Sequence, residues 1–291
     1  MSSGKEIVLF DSVDAEKWIR HVSEVYDLFS KSTEKNKVML SFDTSIDVDS
    51  IKPFHLVSLA CLIHYLRNDL GRIVSISKKN NKVFEYIYNE LGFHEYWSGG
   101  KNHIDTKTSN NIFNLWRIVE EEKDLYAKKV EDYFRNKYFI SKDLSAISVS
   151  LVEAYYNVFD HAQVKGNAFS IIQYDEKSCR LYVAISDFGI GIAQSVRGFN
   201  KDVQTDNEAI LMAVQDNFTV GSTVRNRGMG LGNVLAPAIE ATLVSHKGWV
   251  HKNGGVTQGV ECDFWYPGTL ISYWVDLSMM EDEEFIEEFS F

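Results

Sequence analysis

The chain is poor in cysteine. Cys61, Cys179 and Cys262 are the only three in 291 residues, far apart and in no C-x-x-C pair. An odd, scattered set argues against a disulfide framework and against a cysteine zinc site, and fits a reducing cytoplasm. Long apolar runs are also missing. The longest, "FHLVSLACLIHYL", is broken by Ser and His and is too short for a bilayer span, so no membrane association is expected. The opening "MSSGKEIVLFDSVDAEKW" has no long apolar core and meets acids early, unlike a secretory signal. No basic cluster stands out, so no nucleic-acid footprint is expected. No G-K-[ST] occurs, which excludes a Walker loop.

What is present describes a globular chain, 45% apolar and 24% charged. Much of its net charge of −11 comes from "DLSMMEDEEFIEEFSF", the last 16 residues, which hold seven acids and no base. We read residues 281–291 as a solvated acidic tail whose Phe285, Ile286 and Phe289 leave room for docking.

The rest divides into two blocks. In residues 1–105, "IVLF", "KVMLSF" and "GRIVSIS" read as strands. Helices are expected near 12–31, from Pro53 through "FHLVSLACLIHYLRNDL", and over "NKVFEYIYNELG", with Gly92 as a C-cap. Strand–helix alternation implies a parallel sheet with crossover helices. Residues 106–140 read as a polar linker and connecting helix. Residues 141–280 form the second block, with strands over "NAFSIIQYD", "RLYVAISD" and near 249–252, 259–266 and 269–276, and a short helix near "NEAILMAVQD".

The helix "VSLVEAYYNVFDHAQ" carries a polar row through apolar surroundings. Glu153, Asn157 and His161 are spaced i, i+4, i+8, with Asp160 at i+7, and at roughly 100° per residue they share one stripe. Val152, Tyr155, Tyr156, Val158 and Phe159 fill the other faces, so the helix is expected to be buried nearly all round. Two glycine motifs follow. Asp187 ends an apolar strand ahead of Gly189 and Gly191 in "SDFGIGI", and Gly228, Gly230 and Gly232 lead into a helix in "RGMGLGN". Singly, each reads equally as a tight turn or a ligand-free glycine loop.

In this order they resemble the N, G1 and G2 boxes of the GHKL (Bergerat) ATPase superfamily: "EAYYNVFDHA", "DFGIGI" and "NRGMGLGN", with "PGTLISYWV" similar to the closing strand. The first block resembles the STAS domains of anti-sigma-factor antagonists, through "KVMLSFDTS…SIKPFHLVSLACLIHYL…LGRIVSIS…KVFEYIYNELGFHEYW". The resemblance implies an N-terminal STAS-like α/β domain followed by a two-layer α/β sandwich, a mixed sheet with helices on one face. It implies ATP and Mg²⁺ as ligands, Asn157 on the metal, Glu153 as general base, and Asp187 and Thr269 on adenine. Gly189 and Gly191 would pass close to the ring. Gly228, Gly230 and Gly232 would bind phosphate, with His161, Arg225 and Arg227 close by. For His161 a structural hydrogen bond, and for the arginines plain surface positions, are equally open. Residues 192–227 would form a lid hinged at Gly198 and Gly221.

The implied function is a signalling kinase of the anti-sigma (Ser/Thr) type acting in partner switching. Its protein partner would meet the STAS-like block or the lid, and a homodimer is open. The alternatives are an ATP-driven switch or slow ATPase, and a scaffold with a vestigial pocket. One departure bears on the choice. Pro53 and Phe54 stand where STAS antagonists present a phosphorylatable Ser, and the nearest hydroxyl, Ser50, reads equally as a turn or cap residue.

Overall fold

The computed structural model describes residues 5–34, 36–98, 108–109, 112–160, 167–215 and 231–282. It is mixed α/β and holds two sheets. The first is three-stranded and parallel, in the order β1-β2-β3, from Lys5–Phe10, Lys37–Phe42 and Val74–Ile76. Helix α1 (Ala15–Ser30) joins β1 to β2, capped by the Asp14 carboxylate, which accepts from Lys17 N–H. Helix α2 (Pro53–His64) follows β2 with Pro at N1 and continues as a π-type turn over Tyr65–Asp69. Beyond β3, α3 (Asn81–Phe84) runs into a second π-type turn, Glu85–Glu90, and α4 covers Phe93–Ser98. Gly92 takes φ +65°, as a helix-ending glycine should.

The second sheet is six-stranded, in the order β4-β5-β6-β7-β9-β8. Its strands are β4 (Thr108–Ser109), β5 (Ile112–Arg117), β6 (Ala168–Asp175), β7 (Arg180–Asp187), β8 (Glu240–Asn253) and β9 (Val256–Asp276). Every described pairing in it is antiparallel. Side chains alternate between two cores. Ile172, Val183, Ile185, Leu243 and Ile271 face one cluster with α5 (Lys123–Tyr138), α6 (Ser145–Asp160), α7 (Gly191–Phe199) and α8 (Asp206–Ala213). Their neighbours Phe169, Ile171, Ala184, Val244 and Leu270 face a second cluster, shared with α1, α2 and the parallel sheet.

Several expectations are thereby corrected. The second sheet is antiparallel rather than mixed and has helices on both faces, because α1 and α2 lie against β6, β7 and β9. The connecting helix expected within 106–140 is α5, but the polar link before it holds β4 and β5, and buried Trp116, Tyr126 and Phe134 tie the segment into the core. The strand near 249–252 starts at Glu240, and those at 259–266 and 269–276 are one strand. The expected lid begins with two helices, α7 and α8, packed through Ala193, Val196, Ala209 and Ile210. Gly198 lies inside α7, where it is no hinge of an irregular loop; Gly221 and the lid beyond 215 lie outside the described residues. Of the acidic tail, Asp282 is tied down by an ion pair with Lys142 (2.9 Å), and the Glu281 carbonyl accepts from Asp143 N–H (2.9 Å). Among the described residues no helix is long and apolar enough to cross a membrane.

Candidate functional site

Asp187 is the most constrained of the candidate residues. It ends β7, paired with Thr269 of β9, and is buried. Its Oδ1 accepts from Gly189 N–H (2.9 Å), and the Thr269 backbone and hydroxyl also bond to the carboxylate. Burial nonetheless pushes its pKa up to about 7, since these donors only partly replace the water lost. Thr269 is fixed in turn, because its Oγ1 accepts from Ile192 N–H (3.2 Å) at the start of α7. Asp187, Gly189, Gly191 and Thr269 thus lie together in the structure.

Two glycines make this turn possible. Gly191 has φ +77°, and a Cβ there would lie 2.6 Å from Ser245 Oγ and 2.9 Å from the Gly268 carbonyl oxygen. Gly268 has φ +95°, and a Cβ there would fall on the Asp187 carbonyl and 2.6 Å from Gly189 N.

Helix α6 carries the other half of the candidate site. It starts with the Asp143 carboxylate accepting from Ser145 N–H (2.8 Å). The expectation of burial all round is corrected: Ile147, Ser150, Leu151, Ala154, Tyr155 and Val158 are buried, Val149 is exposed, and Glu153 and Asn157 are half-buried. The reason lies in the layering, since the first block covers the opposite face of the sheet and leaves the outer side of α6 open. Asn157 Nδ2 donates to the Glu153 carbonyl (2.9 Å), and no described residue donates to its Oδ1, which is the atom a hard cation would use.

The two halves are joined through β9. Ser150 Oγ donates to the Val234 carbonyl (2.6 Å) and lies 2.8 Å from the Tyr273 hydroxyl. Val234 ends α9 (Leu231–Val234), which carries Gly232. Tyr273 and Thr269 are four residues apart on one strand and one face, a span of about 13 Å. Asn157 records no bond to the Asp187 cluster among the described residues. His161, Gly228, Gly230, Arg225 and Arg227 lie outside the described residues.

The structure adds residues the motifs did not mark. His246 adopts φ +54° at an irregularity in the β8–β9 pairing and stacks on Trp265 (4.8 Å between centroids). Burial lowers its pKa, so the ring is neutral near pH 7. Arg197 pairs with Asp206, whose other oxygen accepts from Lys247 N–H (3.0 Å), locking α7 and α8 to β8 beside this turn. "SHKG" carries no sequence signal for such a kink.

Behind the site, Cys61 Sγ on α2 donates to the Ser186 carbonyl (3.3 Å), one residue before Asp187. The Ser186 hydroxyl lies 2.7 Å from that of Tyr266. Ser50 donates to the Asp47 carbonyl as a turn hydroxyl, and the Lys52 N–H at the head of α2 is taken by His55 Nδ1 (2.8 Å). Comparison with known proteins found no matching family model, no matching curated protein and no matching solved structure.

Proposed function

We propose that the chain is an ATP- and Mg²⁺-binding regulatory protein of the GHKL type, its first block a STAS-like module. The observation that carries this reading is Asp187, a buried carboxylate at a strand end beside two glycines of positive φ, whose donors from Gly189 and Thr269 do not offset its burial. The exocyclic amine of adenine would supply a further donor. Asn157 Oδ1 fits a magnesium ligand, and Glu153, one turn away, fits a base for an attacking hydroxyl. When bound, Mg²⁺ would neutralise charge building up on the phosphates. Glu153 would accept the proton of a Ser or Thr hydroxyl on a partner, or of water, while Asp187 and Thr269 hold the base of the nucleotide.

The kinase reading, of the anti-sigma (Ser/Thr) type in partner switching, predicts that phosphate from γ-labelled ATP reaches a partner protein. The switch reading has its own support: Cys61 touches the strand that bears Asp187, so nucleotide occupancy has a short path to the first block. Calorimetric titration of the full chain should give Mg-ATP binding and far weaker Mg-GTP binding, because the guanine oxygen would face the carboxylate. Glu153→Ala should bind Mg-ATP and lose turnover. Equal binding of both nucleotides would end the proposal. Wild-type binding without transfer or hydrolysis would leave the switch alone.

A further inference from the structure

A cavity of about 380 Å³ lies in the first block, away from the Asp187 turn. Its size falls within the rough 300–1,000 Å³ range of small-molecule sites. Ile63 of α2 and Val74 and Ile76 of β3 give it an aliphatic floor. One wall is a run of rings: Phe84 stacks on Tyr88 (4.9 Å, 17°), and Tyr88 on His94 (4.7 Å, 23°). Trp97 forms another side and packs behind on Phe169 of the six-stranded sheet (6.0 Å).

Charge in this cavity has one sign. Arg67 and Lys78 line it, and no acidic side chain does. Neither cation has a carboxylate partner among the described residues. Arg67 uses one Nη2 donor on the Trp97 carbonyl (2.6 Å), which aims the guanidinium and leaves its other N–H groups. Lys78 is exposed, its Nζ 4.9 Å from the Phe84 ring centroid. One cation beside a ring and another aimed by a backbone carbonyl, with aliphatic groups beneath, suit a ligand with a flat apolar body and a negative group at one end.

We propose that this cavity is a binding site for a small aromatic anion of the carboxylate class. The rings of Phe84, Tyr88 and Trp97 take the planar body, and Arg67 and Lys78 take the carboxylate through charge-assisted hydrogen bonds. This site is separate from the nucleotide site and stands whether or not the chain binds ATP.

The test uses the full chain, 1-naphthoate and its uncharged analogue 1-naphthalenemethanol, read by equilibrium dialysis and tryptophan emission, with Trp97→Phe to assign the signal. Naphthoate should bind saturably at one site and the alcohol roughly tenfold more weakly. Lys78→Glu, at an exposed position, should lower naphthoate affinity by about tenfold or more and leave the alcohol and the melting temperature unchanged. Arg67→Gln should act in the same direction. Equal affinity for acid and alcohol, or indifference to Lys78→Glu, overturns the proposal. So does tighter binding of an acidic phenylalanine-containing peptide than of naphthoate, which would make the cavity a peptide site.

Discussion

The two faces of the six-stranded sheet are both buried, yet they are built differently. On the first-block face the strands present Phe169, Ile171, Val244 and Leu270 with one buried hydroxyl pair, Ser186–Tyr266 (2.7 Å), and contacts to α2 include Cys61 to Ser186 and Asn167 to the Cys61 carbonyl. The opposite face keeps a buried carboxylate, a Ser150–Tyr273 pair and a Tyr155–Ser170 pair (2.9 Å) among its apolar side chains. Burying a carboxylate costs free energy unless it is fully bonded. Among the described residues the first-block face buries no carboxylate, so Asp187 sets the two faces apart, and under the proposed function it is where the nucleotide would bind.

The strongest test of this comparison is a substitution on the first-block face. Phe169→Ala should destabilise the chain by about 3–5 kcal/mol. Urea unfolding followed by circular dichroism and by tryptophan emission should remain one coincident transition. Separate transitions would mean that the first block is an independent body and that the face is only lightly covered.

Gly268→Ala is expected to rank next, at about 1–3 kcal/mol, because the methyl group meets the Asp187 carbonyl at a strained φ. Nucleotide binding should fall with it, and an unaltered titration would show that the turn yields easily.

Asp187→Asn separates function from stability. Nucleotide affinity should drop by about 1.5–3 kcal/mol, the range for a hydrogen bond to a charged group. Stability should move the other way at high pH. The folded pKa, about 7, lies above the ordinary carboxyl value of 3.8, so the folded state favours the protonated form. That contribution is complete below about pH 4 and is lost as pH rises through 7. The wild type should therefore lose stability relative to Asp187→Asn between about pH 4 and pH 7, with little further change above. Parallel curves would mean that the carboxylate is better solvated than its burial implies.

Asn157→Ala should have the smallest effect. Its half-buried side chain holds a bond within α6, so stability should change little, while the magnesium-dependent part of ATP affinity falls by about 1 kcal/mol. Equal magnesium dependence in both forms would remove Asn157 as a ligand.

Much of the architecture was legible where one period dominates. Helices α1 and α2 and strands β6 and β7 follow from apolar spacing, and the turn joining Asp187 to Gly189 and Gly191 follows from its motif. The edge strand β4 and its neighbour β5 were hidden because "TSNNIFNLWR" is polar enough to read as a link. The start of β8 was hidden because "IEATLVSH" runs on from a glycine-rich helix signal. Helix α7 was missed because the family resemblance assigns that stretch to a lid. The double burial of the sheet did leave a trace: Val183, Ala184 and Ile185, and Ile171 and Ile172, are consecutive apolar residues, as expected of strands covered on both sides. Which helices cover the second face depends on contacts such as Cys61 to Ser186, across 125 residues of sequence, and no local pattern encodes those.

Helix α2 has a consequence for how the chain is made. All of its residues except Phe54 are buried, some of them against β6, β7 and β9. The ribosome finishes α2 at His64, whereas β6 begins at Ala168. At translation rates of about 5–20 residues per second, the helix waits roughly 5–20 seconds for its first covering strand, and longer for β9. During that interval one apolar side of the nascent first block has nothing of its own to lie against. Stalled or truncated chains ending before β6 should therefore be chaperone-bound or insoluble, and release should coincide with synthesis of the second sheet.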